Sequence, residues 1–86
     1  MERKVEKGMV FMHFKKNMYK VICIAKSSED QREIVVYESL DENGRETGKI
    51  WTRDKEEFLS LVDKDKYPNV TQKYRFEEIE KWKLKN

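Results

Sequence analysis

Three pairs of residues, each two apart, carry the chemistry best suited to recognition: Phe11 with His13, Val35 with Tyr37, and Trp51 with Arg53. Strand side chains alternate, so each pair would share one face. If the three strands are neighbours, Phe11, Tyr37 and Trp51 surround an imidazole and a guanidinium. Lys15, Glu29 and Arg75 would then lie at the rim. Aromatic rings supply contact area at low entropic cost, and Arg offers a planar donor fork that favours a carboxylate or other anion. The same spacing also fits a core. In that case Phe11, Tyr37 and Trp51 pack inside, and His13 and Arg53 make structural hydrogen bonds.

Catalysis has thinner support. His13 is the only histidine. As a general base it needs an orienting carboxylate and a nucleophile or water. Glu29 is the candidate carboxylate and Cys23 the candidate nucleophile, but Cys23 falls in the most apolar strand, where a buried thiol is inert. No catalytic residue is assigned. One His and one Cys are too few ligands for a transition metal, and the acidic stretch lacks EF-hand spacing, so no metal is expected. None of Gly8, Gly44 and Gly48 opens a phosphate-cradling helix. No nucleotide or other cofactor is expected.

Nucleic acid is the alternative partner. Lys15, Lys16 and Lys20 interleave with aromatics around Tyr19, a mix that suits base stacking and phosphate neutralisation. Residues 1–20 carry six cations and two anions, whereas residues 28–46 carry seven anions and two cations. The acidic stretch would repel a phosphate backbone unless it lies on the far side.

These residues need a scaffold. Val10 to Phe14 reads as a short strand, with Phe11 and His13 on one face and Val10, Met12 and Phe14 on the other. Met18 to Lys26 is the clearest strand, with Tyr19, Val21, Cys23 and Ala25 on one side. Glu33 to Ser39 and Lys49 to Arg53 follow, separated by an Asn43-Gly44 turn signal. Asp54 is a helix N-cap with Glu57 in the capping-box position, and Phe58, Leu59 and Val62 give an apolar stripe for a helix near 55–63. Tyr74-Arg75-Phe76 closes the strand set. Phe76, Ile79 and Trp82 are three apart, which suits a short C-terminal helix, whereas the alternating charges Glu80-Lys81 and Lys83 also suit an edge strand. About five strands with one small helix predict a mainly β fold, a small barrel or roll. The domain spans 8–79, with a charged N-terminal tail at 1–7 and an extension at 80–86. In that extension Trp82-Lys83-Leu84-Lys85 would close one end of the barrel or dock a partner.

The run Phe-Met-His-Phe-Lys-Lys-Asn-Met-Tyr-Lys-Val at 11–21 resembles a family of small bacterial domains of unknown function. Their motif is aromatic-x-His-Phe-Lys-Gly-x-x-Tyr-x-Val. The resemblance continues in order through Ala25 to Glu29, Val35-Val36-Tyr37, Trp51-Thr52-Arg53 with Phe58, and Arg75-Phe76. Lys16 stands at the motif glycine, Ser27 at a His and Asp54 at a Pro. The resemblance implies an SH3-like barrel and no particular activity.

The 86 residues include 19 Lys and Arg against 17 Asp and Glu. Size scaling lets such a chain bury about 64% of its unfolded surface, enough for one core. The longest apolar run is five residues, Val21 to Ala25, and a membrane span needs about 20. No membrane association is expected. One cysteine permits no internal disulfide, which suits the cytoplasm. The leading expectation is a non-catalytic module that binds a protein or peptide through the aromatic, Arg and His face. A nucleic-acid binder is the alternative, and a small-ligand binder or enzyme centred on His13 is a further one. The oligomeric state is left open.

Overall fold

The computed structural model describes residues 3–79. The protein is mainly β, with β1 (Val10–His13), β2 (Met18–Lys26), β3 (Glu33–Leu40), β4 (Glu46–Asp54), α1 (Lys55–Phe58) and β5 (Phe76–Glu78). The strands form one antiparallel sheet in the order β4-β3-β2-β1-β5, consistent with the expected small barrel or roll. β4 begins three residues earlier than expected because its hairpin is tight. The Asp41 carboxylate accepts the amides of Asn43 at 2.8 Å and Arg45 at 2.9 Å, so pairing resumes by Glu46.

Simple alternation fails inside β2. Val21 lies opposite Tyr37 and Cys23 opposite Val36, which leaves Ile22 as the extra residue of a bulge. The bulge turns Ile24, opposite Val35, onto the core side with Tyr19 and Val21. Cys23 and Ala25, expected beside Tyr19 and Val21, therefore face the other way.

The helix expected over 55–63 is a single turn. The Asp54 carboxylate caps it by accepting the Glu56 amide at 3.0 Å. Glu57 does not complete a capping box, because Arg53 binds it at 2.7 Å. Beyond Leu59 the chain extends and pairs with the segment before β5. Arg75 N donates to Ser60 O at 2.9 Å, and Val62 N donates to Lys73 O at 2.9 Å. These bonds use backbone groups that a longer helix would have kept to itself. Leu61 is consequently exposed and Val62 buried.

The last strand forms two residues later than expected. Tyr74 makes only an isolated bridge to Leu61, and Phe76–Glu78 pairs with β1, Phe76 opposite His13. Pairing with β1 replaces the expected helical turn from Phe76. Trp82 to Lys85, and the whole extension at 80–86, lie outside the described residues. Within residues 3–7, expected as part of a charged tail, Lys4, Glu6 and Lys7 are exposed but Arg3 and Val5 pack against the domain. Val5 is buried in the core, and the Arg3 guanidinium donates to Leu59 O at 3.0 Å and also to Phe76 O.

The core is aromatic. Phe58 stacks on Phe76 with ring centres 4.0 Å apart and receives Phe11 edge-on at 5.1 Å. Tyr37 lies against both, at 5.4 and 5.6 Å. α1 is too short to be stable alone, and the burial of Phe58 is what holds it.

The β1–β2 turn carries visible strain. Lys16, at the glycine of the resembled motif, has φ +78°. A left-handed conformation costs a side chain about 1–2 kcal/mol, partly offset by the extra freedom glycine has when unfolded. Lys16→Gly is expected to stabilise the protein by about 0.5–1 kcal/mol, read as a higher urea midpoint at unchanged slope.

No helix among the described residues is long and apolar enough to cross a membrane.

Candidate functional site

The concave face of the sheet opens into a depression of about 320 Å³. His13 at the end of β1, Tyr37 on β3, Trp51 and Arg53 on β4, and Arg75 before β5 all line it. β3 and β4 are neighbours, but β1 is not, since β2 lies between β1 and β3. Side chains from β1, β3 and β4 nonetheless line the same depression, together with Tyr19 of β2 and Phe76 of β5.

Phe11 does not join them. It shares the face but is 1% exposed, because α1 lays Phe58 over it. Tyr37 is also largely buried, and its hydroxyl alone reaches the polar groups. Trp51 is 50% exposed and offers its ring to solvent.

Each cation is held differently. Arg53 Nε donates to the Tyr37 hydroxyl at 3.3 Å, its Nη1 to Glu57 at 2.7 Å, and its guanidinium lies 5.6 Å from the Phe76 ring centre. Burial alone would lower its pKa. The Tyr37 and Glu57 contacts outweigh that and hold it above the usual guanidinium value. Arg75 Nε donates to Ser60 Oγ at 3.3 Å, and its terminal amines have no partner among the described residues. Lys15 lies near the Phe14 and Tyr67 rings, 6.0 and 5.8 Å from their centres.

His13 sits between them. Its Nδ1 accepts the Lys15 amide at 3.1 Å, and Phe14 and Phe76 flank its ring at 4.3 and 4.9 Å. Burial, then the charges of Arg53, Arg75 and Lys15, push its pKa down to about 4. At neutral pH the ring is uncharged, and with Nδ1 accepting, the proton belongs on Nε2 as a donor.

The result is a depression with three cations, a neutral N–H donor and a half-exposed indole. No carboxylate lines it among the described residues. Such a lining has the chemistry to hold an anion attached to a flat or apolar body. Neither Glu29 nor Cys23 lines it, so His13 has no acid–base partner from those two. Nor does any group of three His, Cys, Asp or Glu come together among the described residues.

The residues of the nucleic-acid alternative are divided. Lys15 and Tyr19 line the depression. Lys16 occupies the strained turn, and Lys20 lies on a different surface beside Glu38, bound to Glu46 at 3.1 Å. Phe14, Asn17 and Tyr67 line the depression without having been expected there. Alternation predicts Phe14 on the opposite face, but β1 ends at His13 and the turn brings Phe14 N to Arg75 O at 3.0 Å. Tyr67 comes from a loop distant in sequence, which no local spacing signals.

One family model, described as a protein of unknown function (DUF1653), matches residues 9–78. No curated protein and no solved structure matches the chain.

Proposed function

We propose, for a chain that belongs to the DUF1653 family of unknown function, that the domain is a non-catalytic binding module recognising a protein or peptide through this depression. One observation carries the reading: Lys15, Arg53, Arg75 and the neutral His13 face one concavity beside the exposed Trp51, and no carboxylate lines it among the described residues. Trp51 is the apolar anchor. Arg75, whose terminal nitrogens have no partner among the described residues, and Arg53 take an anionic group of the partner, and His13 adds an N–H donor. The single thiol, Cys23, fits a reducing compartment, which we take to be the cytoplasm.

Selection from a displayed library of random heptapeptides tests this. Peptides are expected to enrich on the wild-type protein and to lose binding to both Trp51→Ala and Arg75→Glu. Folding of both variants is verified by amide NMR dispersion. No enrichment, or enriched peptides that bind the folded variants equally well, would sink the reading.

A further inference from the structure

This inference rests on the binding reading above and concerns how the partner is held. Among the described residues, β4 is an outer strand and pairs only with β3. Its outward backbone groups therefore have no strand partner among the described residues, and residues 46–52 are all exposed. Gly48, at φ +82°, interrupts the regular backbone, and residues 50–54 then pair with β3 in unbroken register. No proline blocks it. Ile50 and Trp51 are each 50% exposed along it. An uncovered edge of this kind is a template for another strand.

This edge also runs into the depression. Trp51 and Arg53 lie opposite Tyr37 and Val35, so both point to the concave face. Two residues along a strand span about 6.7 Å. A strand laid against β4 would repeat that spacing on the same face. We propose that an extended acidic peptide segment adds to β4 as a further strand. An aromatic or aliphatic side chain rests beside Trp51, and a carboxylate two residues away sits beside Arg53 and Arg75. Backbone bonds to β4 supply affinity, while the indole and the guanidinium pair supply sequence preference. Charge complementarity selects this occupant. A second copy of the chain would bring its own Lys49 and Arg53 to a site that already holds three cations.

The probe is the most enriched heptapeptide from the selection above, fluorescein-labelled and measured by anisotropy. It is expected to contain Asp or Glu two positions from an aromatic or aliphatic residue. Two derivatives are N-methylated, one at odd amides and one at even amides. In a strand ladder only every second amide faces the neighbour, so one derivative should lose about tenfold or more in affinity and the other little. Replacing the acid by its amide should also weaken binding. Equal effects of the two methylations, with the parent still bound, would overturn strand addition and leave side-chain docking intact. Enriched peptides without an acid would overturn it as well. A dimer of the free protein, by sedimentation, that dissociates on Trp51→Ala would assign the edge to a second copy. If no peptide enriches, both proposals fall.

Discussion

Phe58→Ala is expected to remove about half or more of the protein's folding stability at 25 °C. Phe58 is fully buried, stacks on Phe76 and contacts Phe11 and Tyr37. Removing a buried phenylalanine costs about 3–5 kcal/mol, and a domain of this size holds only about 5–10 kcal/mol in total. The effect is larger than local packing alone suggests, because the same ring anchors α1. Without it, the extended segment after Leu59 loses its attachment beneath β5. A urea midpoint lowered to about half its wild-type value or less would report this. Ile50→Ala, at a half-exposed position, is the comparison and should change stability by about 0.5 kcal/mol or less. A Phe58→Ala variant as stable as Ile50→Ala would refute this account of the core.

Followed by NMR, the His13 imidazole is expected to titrate near 4, well below its ordinary 6.5. Burial is the first cause, followed by Arg53, Arg75 and Lys15. The unfolded chain takes up this proton near pH 6.5, whereas the folded protein resists it until about pH 4. In that window the unfolded state binds more protons, so acidification destabilises the fold. The contribution is complete above pH 6.5, falls as pH drops, and levels off below about 4. His13 is only partly buried, so solvent screening holds the loss to about 1 kcal/mol. His13→Gln should flatten the stability profile across this window. A bound acidic peptide offsets the neighbouring cations and should raise the His13 midpoint. A free-protein midpoint at 6.5 would contradict the electrostatics of the depression.

Much of the scaffold was legible residue by residue. Met18–Lys26 is apolar, aromatic and β-branched, and it is β2 at the expected bounds. Asn43-Gly44 marks the β3–β4 hairpin, with Gly44 at φ +80°. Asp54 caps α1 as its type and position predict. The shared face of Trp51 and Arg53 follows from alternation alone. Such features rest on turn chemistry, caps and side-chain parity, which act over a few consecutive residues.

Other features depended on partners far along the chain. Phe11 and Trp51 looked equivalent as aromatics at strand spacing. One is sealed because Phe58 covers it, and the other stays half exposed because β4 is an outer strand. The bulge at Ile22 reversed the faces of Cys23 and Ile24, although no glycine or proline marks it. Val5 entered the core from a segment whose charges suggested a tail, and Tyr67 reached Phe14 from a loop. Local residue chemistry was thus enough for a mainly β fold, most of its strands and the parity of the Trp51 and Arg53 pair. The tertiary structure decided which rings are covered and which cations meet. Burial is set by the neighbour that lands on a side chain, and that neighbour is chosen by packing across the whole chain rather than by local backbone preference.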